Sequence, residues 1–188
     1  MTAPFRHETP PTGVPAALAS NMAAQIPVLV TDALTLRAPR VADFDAYHQI
    51  LCSERGKFIY PRCNRANAWN DFVQLASGWV LHGHGGWAIE DNETGALCGF
   101  VLLGLEPGDE EIELGFMLLE EHEGLGIAYE AAQMARHFAF DTLKLTQLVS
   151  YIYKENARSV ALADRLGATR TEHDDEMYAF FHQAEALQ

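Results

Sequence analysis

The sequence predicts a mixed α/β (α+β) fold in which helices flank a central sheet that is mostly antiparallel. Helical and strand patterns alternate along the chain, three apolar strands follow one another with short turns between them, and a further apolar strand follows a long amphipathic helix. With 188 residues and 48% hydrophobic content, the chain is long enough to bury a substantial core.

The first thirty residues lack the pattern of a packed element, because five prolines interrupt them: Pro4, Pro10, Pro11, Pro15 and Pro27. We expect residues 1–30 to form a poorly ordered arm and residues 31–188 to form a single domain. The start of the chain is not basic and has no uninterrupted apolar stretch, so we expect no secretory signal. No run approaches 18 apolar residues, so we predict no membrane-spanning helix.

The next part of the chain predicts a strand, two helices and a three-stranded meander. The strand covers residues 34–37 and the helices cover residues 41–51 and 67–81, with Asp43 and Asp45 in the first helical turn, where the helix dipole favours acids. Strands at 87–90 and 96–105 are joined by a loop at 91–95, and a turn at 107–109 leads to a strand at 111–118. These three strands are expected to pair antiparallel.

The remaining residues predict a crossover. A helix over residues 126–143 is apolar at Ile127, Ala131, Met134, Ala135 and Phe138. It leads to a strand at 146–153, which is expected to pair parallel to the strand at 111–118. A second helix begins near Asn156 and ends at Gly167, where a glycine is typical of a helix end. Residues 176–180 predict the last strand.

The junction at residues 113–131 is the most informative segment, since it runs from an apolar strand through an acidic turn to a glycine-flanked helix start. The first backbone N–H groups of a helix have no partner within the helix, and they lie at its positive end. Gly124 and Gly126 would let a ligand approach them closely. The segment therefore predicts a cradle for a phosphate or pyrophosphate.

Two other phosphate motifs are excluded at this junction. A P-loop ends in Gly-Lys-Ser/Thr, whereas this chain has Gly126-Ile127-Ala128. A dinucleotide fingerprint needs a third small residue where this chain has Tyr129.

The charge and the cysteine and histidine content of the chain limit the classes of partner and metal that it is expected to bind. A formal net charge of −13 argues against a nucleic-acid partner and favours cationic ones such as polyamines, amino-terminal peptides and aminoglycosides.

Cys52, Cys63 and Cys98 form no C-x-x-C pair, so we expect no disulfide framework and no zinc site, but reduced thiols in the cytoplasm. The histidines form no H-E-x-x-H arrangement, and no metal is predicted.

The run from residue 113 onward resembles the GCN5-related N-acetyltransferase (GNAT) superfamily, most closely its RimJ/RimL-like branch. The resemblance covers residues 34–181. It is carried by Glu113-x-Gly115-Phe116, by the loop at 123–128, by Glu130-Ala131, and by Asn156-x-x-Ser159 followed by Leu166-Gly167.

The resemblance implies the GNAT fold, with acetyl-CoA as co-substrate in a gap between two splayed parallel strands. It also implies backbone hydrogen bonds from Met117 and Leu118 to the pantetheine arm. The predicted acetyl-CoA site consists of these two residues together with Glu123, Gly124, Leu125, Gly126, Ile127, Ala128, Asn156 and Ser159.

The loop departs from the branch at two positions. Position 123 is usually Gln or Arg and position 125 is often Lys or Arg, but this chain has Glu123 and Leu125. Carboxylates here would repel a pyrophosphate by roughly 1 kcal/mol each. Weaker binding is one consequence, and compensation by nearby cations is the other: Arg158, Arg165, Lys154 or Lys144.

Glu113 and Ser159 are the predicted catalytic residues. An amine must lose a proton before it attacks a thioester, and Glu113 is the candidate base, acting directly or through a water. Many superfamily members place a tyrosine where this chain has Ala163, so Ser159 is the candidate proton donor to the departing thiolate.

The sequence thus predicts an acetyl-CoA-dependent N-acetyltransferase that acts on a primary amine by direct attack, without a metal, a nucleic acid or a membrane. The acceptor is a protein N-terminus or a small amine, including metabolite and antibiotic amines, and a homodimer stays open. The alternative is a non-catalytic acyl-CoA-binding or sensor domain on the same fold.

Overall fold

The computed structural model describes residues 5–184. Its helices are α1 (Gly13–Ala23), α2 (Phe44–Leu51), α3 (Arg65–Leu81), α4 (Ile127–His137) and α5 (Ala157–Arg165). Its strands are β1 (Leu29–Val30), β2 (Leu34–Arg37), β3 (Gly86–Asp91), β4 (Leu97–Gly104), β5 (Glu113–Leu118), β6 (Gln147–Tyr153), β7 (Thr169–Glu172) and β8 (Met177–Gln183).

All eight strands join one sheet in the order β1-β2-β3-β4-β5-β6-β8-β7. Every neighbouring pair is antiparallel except β5 and β6, which are parallel. This confirms the predicted α/β (α+β) class, the antiparallel meander of β3, β4 and β5, and the parallel pairing made by the crossover through α4.

The parallel pair is short. Among the described residues, the register joins β5 to β6 at a single pair, Glu113 with Val149, and the Val149 N–H donates to the Ile112 carbonyl at 3.0 Å. Beyond this point the two strands are no longer paired, although both continue for several residues. A gap therefore opens between them, as the resemblance implied.

The two larger of three hydrophobic cores lie on opposite faces of the sheet. Trp87 and Ile89 belong to the core that α4 covers, whereas Ala88, between them on β3, belongs to the core of α2 and α3. Because successive strand residues point to opposite faces, a strand buried on both faces is apolar throughout. This explains why β3 and β4 were predicted readily from continuous apolar sequence.

Residues 5–30 differ from the predicted poorly ordered arm, because they contain a 3-10 turn, α1 and β1. Glu8 is buried, and its carboxylate accepts hydrogen bonds from the Arg65 guanidinium at 2.8 and 3.0 Å. The Trp87 indole donates to the Pro27 carbonyl at 2.8 Å. These partners are 57 and 60 residues away in sequence, so local patterning could not reveal them. Residues 1–4 of the predicted arm lie outside the described range.

The cysteine prediction was also wrong in part. Cys52 and Cys63 form a disulfide with a Cα–Cα separation of 5.0 Å, whereas Cys98 is a buried free thiol. The 3-10 turn at Gly56–Phe58 folds the intervening segment back, which brings two residues 11 apart in sequence into disulfide range.

Among the described residues, none of the helices combines the length and the apolar character that a membrane crossing requires.

Candidate active site

Two cavities meet beside the gap between β5 and β6. The larger cavity has a volume of about 1020 Å³ and extends over the start of α4. The smaller cavity has a volume of about 720 Å³ and extends between α3 and the ends of β4 and β5. They share six lining residues, which mark where two bound molecules would touch: Phe58, Ile59, Phe116, Met117, Asn156 and Ser159.

Glu113 lines the smaller cavity at the base of the gap. It is half-buried, and burial together with the carboxylates of Asp109 and Glu106 raises its pKa to about 7, although a hydrogen bond from the Tyr151 backbone opposes the shift. A carboxylate that titrates near neutrality can accept a proton from an amine at physiological pH. Glu111, by contrast, lies before β5 and outside both cavities.

The wall of the smaller cavity carries acidic residues in addition to Glu113. The hydroxyl of buried Tyr47 donates to Asp71 at 2.5 Å. Burial raises the pKa of Asp71, while the hydrogen bond from Tyr47 opposes the shift. Glu106 lines the same cavity, and its pKa is raised by burial and by the charges of Asp71 and Asp109. The smaller cavity is therefore suited to a cationic group.

Buried Ser150 and His182 form hydrogen bonds that hold β6 against β5 at the base of the gap. Ser150 lines the smaller cavity, and its hydroxyl donates to the Leu114 carbonyl of β5 at 2.6 Å. The Ser150 proton is thereby used, so the 3.1 Å contact with His182 Nε2 requires His182 to donate. Burial lowers the pKa of His182 to about 4, which keeps its ring neutral near physiological pH.

The predicted glycine cradle lines the larger cavity through Gly124, Gly126, Ile127 and Ala128. Gly126 is the N-cap residue of α4 with φ +86°, and Gly124 has φ +75°, both in the region that favours glycine. The first bond of the helix runs from the Glu130 N–H to the Gly126 carbonyl, so the preceding N–H groups lack partners within the helix. Leu125, also predicted here, is 69% exposed and lies outside the cavity lining.

Met117 and Leu118 line the larger cavity, but the pairing of β5 separates their backbone roles. The Leu119 N–H donates to the Cys98 carbonyl at 2.9 Å, and Met117 is the register partner of Phe100. In an antiparallel ladder, alternate residues bond to the same neighbour. The polar backbone groups of Met117 therefore face β4, whereas those of Phe116 and Leu118 face the gap. The backbone of Met117 is therefore used within the sheet and does not face the gap as predicted, whereas the backbone of Phe116 does.

Asn156 and Ser159 lie where the two cavities join. The Asn156 side chain caps α5 by accepting a hydrogen bond from the Ser159 N–H at 3.3 Å. The Ser159 side chain is half-buried in the lining of both cavities, whereas Ala163, one turn later, is fully buried.

Glu123 is surrounded by cations. Its carboxylate pairs with Arg55, from the segment after α2, and with Arg158 of α5. Arg55 also pairs with Glu120 at 2.9 Å. The two arginines and Glu123 line the larger cavity, as does Arg165, whose guanidinium lies 3.8 Å from the centre of the Tyr129 ring.

Of the cations proposed from sequence to compensate the acidic loop, Arg158 and Arg165 reach the larger cavity. Lys144 and Lys154 lie outside its lining, and Lys154 pairs with Glu172 at 2.6 Å. Arg55, Asp71, Glu106 and Ser150 were missed because each acts through partners distant in sequence. A polar residue inside an apolar strand, as Ser150 is in β6, was the one signal available.

A glycine cradle at splayed strands, joined to a second cavity with a titratable carboxylate, is the arrangement expected of an enzyme that transfers a group between two substrates. Residues 33–169 match the family model of the acetyltransferase (GNAT) domain, and the chain belongs to this family. It is an enzyme of the acetyltransferase class, and the family uses acetyl-CoA.

Individual proteins similar to this chain are acetyltransferases as well. The uncharacterized N-acetyltransferase p20 of Bacillus licheniformis is 31% identical over 145 residues, which cover 73% of this chain and 80% of that protein. The crystal structure of an acetyltransferase from Agrobacterium tumefaciens str. C58 is 37% identical with a TM-score of 0.79, covering 85% of this chain and 95% of that one. A GnaT-family acetyltransferase from Bordetella pertussis is 25% identical with a TM-score of 0.67, covering 84% and 99%.

Proposed function

We propose that this protein is an acetyl-CoA-dependent N-acetyltransferase of the RimJ/RimL-like branch, acting on a primary amine with Glu113 as its base. The observation that carries the proposal is the position of Glu113, a half-buried carboxylate with a pKa of about 7 in the smaller cavity, at the base of the gap between β5 and β6. The branch is supported by the Asn156-x-x-Ser159 motif and the Glu113-x-Gly115-Phe116 strand.

The lining of the larger cavity supports acetyl-CoA as its ligand. Its free helix N–H groups and two glycines suit a diphosphate, and its arginines supply positive charge. Toward the gap it becomes apolar, with backbone groups of Phe116 and Leu118 available to an extended arm. Acetyl-CoA would supply the acetyl group as a thioester, which the acceptor amine attacks directly.

Proton transfer is the task of the chain's own residues. Most amines are protonated near pH 7, so Glu113 would accept the proton that the ammonium group must lose. The departing thiolate needs a proton in return. Ser159 is the proposed donor, since it lies where the two cavities join and its side chain contributes to both linings.

The acceptor is proposed to be cationic. Asp71, Glu106 and Glu113 line the smaller cavity, and Glu106 interacts electrostatically with each of the other two. A protonated amine would be attracted to this wall, and the net charge of −13 would assist its approach. A small amine and the first residues of a protein N-terminus both satisfy this requirement.

The direct test measures CoA release from acetyl-CoA with a panel of amines: amino-terminal peptides, polyamines, aminoglycosides and neutral controls. We expect turnover with at least one cationic acceptor and its loss in Glu113→Gln. Calorimetric binding of acetyl-CoA without turnover across the whole panel would instead favour the acyl-CoA sensor. Absence of acetyl-CoA binding would contradict both functions.

A further inference from the structure

We propose that Arg55 and Arg158 form the phosphate-binding pair of the larger cavity, and that Glu123 is an internal anion which they exchange for the phosphates of the co-substrate. The inference rests on the proposed use of acetyl-CoA. It assigns a role to three charged side chains that neither the glycine cradle nor the acid–base chemistry requires.

The geometry shows one carboxylate oxygen shared between two guanidinium groups. Nη1 of Arg55 and Nη1 of Arg158 both donate to Oε2 of Glu123. These three residues come from separate parts of the chain, 68 and 35 positions apart, and meet at the wall of the larger cavity. Because Glu123 directly precedes Gly124, its carboxylate lies beside the cradle that a diphosphate would occupy.

Exchange is favoured by charge and by donor geometry. A guanidinium has five N–H donors in a planar fork that matches phosphate oxygens. A single carboxylate oxygen uses one donor from each arginine here, whereas a diphosphate offers more oxygens and more negative charge. Arg55 keeps a second partner in Glu120 at 2.9 Å, so it stays positioned after Glu123 is released.

The two arginine side chains are exposed enough for an incoming phosphate to reach them. The side chain of Arg158 is 72% exposed and that of Arg55 is 41% exposed, whereas that of Glu123 is 26% exposed. Both guanidiniums can therefore turn toward a ligand without disturbing the core. The acidic loop residue that appeared unfavourable for an anion site then serves to hold two cations in place before the ligand arrives.

The experiment measures acetyl-CoA affinity by calorimetry in Arg55→Gln, Arg158→Gln and Glu123→Gln. We expect each arginine variant to raise Kd by about 5- to 20-fold, since charge-assisted hydrogen bonds are lost at a partly exposed site. Glu123→Gln should lower Kd by about two- to fivefold, because the internal competitor is removed. All effects should shrink in high salt.

Matched controls separate these effects from overall charge. Arg62→Gln lies in the same segment as Arg55, and Arg170→Gln lies on the exposed strand β7; both positions are outside the cavity linings. Neither should change Kd appreciably. Arg55→Lys should restore part of the affinity, because it retains the charge without the fork.

Three ligands locate the effect. Acetyl-pantetheine lacks all the phosphates, so the arginine variants should leave its kcat/KM unchanged, which also shows that they are folded. Acetyl-dephospho-CoA lacks only the 3′-phosphate, so a loss that persists with it places the arginines on the diphosphate.

If the wild-type protein binds acetyl-CoA and both arginine variants bind it with the same Kd, this inference is overturned and the proposed function stands. Weaker binding in Glu123→Gln would overturn the exchange and make Glu123 a fixed organiser of the loop. A wild-type protein that does not bind acetyl-CoA would contradict the proposed function itself.

Discussion

At the scale of single residues, Glu113 combines the proposed role of base with a cost to stability. Its folded-state pKa of about 7 lies above its ordinary value of 4.5. Between these pH values the folded protein holds more protons than the unfolded chain, so stability falls as pH rises from about 4.5 to 7 and stays lower above that range.

Glu113→Gln should therefore separate activity from stability. We expect kcat to fall by roughly 10²- to 10⁴-fold with little change in acetyl-CoA affinity. We also expect the free energy of unfolding above pH 7 to rise by up to about 3 kcal/mol, with no gain below pH 4.5. Steady-state kinetics and denaturant unfolding at several pH values measure the two effects.

The wild-type pH profile provides a further check on Glu113. Since the base must be ionised, kcat/KM should rise with pH through about 7, and Glu113→Gln should lose this rise. Glu111→Gln is the matched control, since it lies before β5 and outside both cavities. Full activity in Glu113→Gln would refute the assignment and direct attention to Glu106, a neighbouring carboxylate that also lines the smaller cavity.

Two serines near the gap should behave differently. Ser159→Ala should lower kcat by less than Glu113→Gln does, because a thiolate is a tolerable leaving group and water can supply its proton. Its thermal stability should hardly change, since the capping bond to Asn156 uses the backbone N–H. Ser150→Ala should destabilise the fold by about 1–3 kcal/mol, because buried groups on Leu114 and His182 lose their partner. Equal effects of the two substitutions on kcat and stability would contradict this division.

At the scale of elements, the start of α4 can be tested through its glycine geometry. Gly126→Val should weaken acetyl-CoA binding strongly, because the new side chain would occupy the cradle. Gly95→Val, in the hairpin between β3 and β4, is the control for strain: both glycines have positive φ, and a Cβ at either meets no atom within 4 Å. Both variants should lose similar stability, while only Gly126→Val should lose affinity in calorimetry. Comparable Kd values in the two folded variants would mean that the cradle is elsewhere.

The segment between α2 and α3 has a second test through its disulfide. The bond between Cys52 and Cys63 closes a segment that contributes Arg55, Phe58 and Ile59 to the walls of the larger cavity. Losing this closure frees the segment. We expect Cys52→Ser and Cys63→Ser each to raise the Kd for acetyl-CoA several-fold, and reduction of the wild-type protein to do the same.

A cysteine outside the disulfide supplies the control. Cys98→Ser should affect stability only, since Cys98 is buried in β4 and outside both cavities. An unchanged Kd in reduced wild-type protein would show that the segment holds Arg55 without the bond.

Most elements could be predicted from sequence because their own residues specify them. The β3–β4 hairpin, β5, α4 and β6 are apolar or amphipathic over their whole lengths, and their observed bounds differ from the predicted ones by only a few residues, apart from the end of α4. The helix was predicted to continue to residue 143, but α4 ends at His137 and is followed by a π-helical turn at Phe138–Thr142. The edge strands β1 and β7 were missed, since β1 has two residues and β7 is polar and exposed throughout.

At the scale of the whole molecule, the limits of sequence reasoning follow sequence distance. The glycine loop at the start of α4 could be predicted because strand, loop and helix start are contiguous at residues 113–131. In the cluster of Arg55, Glu123 and Arg158, sequence reasoning offered Arg158 as one of four candidate cations and missed Arg55, since the fold brings these distant residues together. The sequence therefore indicated a deficit of positive charge at a site where the fold provides it.

The overall charge of −13 should influence the acceptor more than the chemistry. Screening acts over about 30 Å at 10 mM salt but only about 8 Å at 150 mM. We expect KM for a diamine acceptor to rise on the order of threefold or more across this range, with kcat unchanged, because approach rather than proton transfer depends on the field. An amino alcohol of equal length, with one positive charge fewer, should show a shallower rise in steady-state assays.

Substitution of two carboxylates then distinguishes the effect of the acidic cavity wall from the effect of the overall charge of the protein. Glu106 lines the smaller cavity, whereas Glu93 lies exposed in the β3–β4 hairpin. Each change to Gln removes one negative charge, so a purely global effect would flatten the salt dependence of KM equally in both variants. We expect Glu106→Gln to raise the diamine KM at low salt and to flatten its dependence, and Glu93→Gln to resemble wild type. Identical behaviour of the two variants would remove the acidic wall from acceptor recognition and leave only the charge of the whole protein.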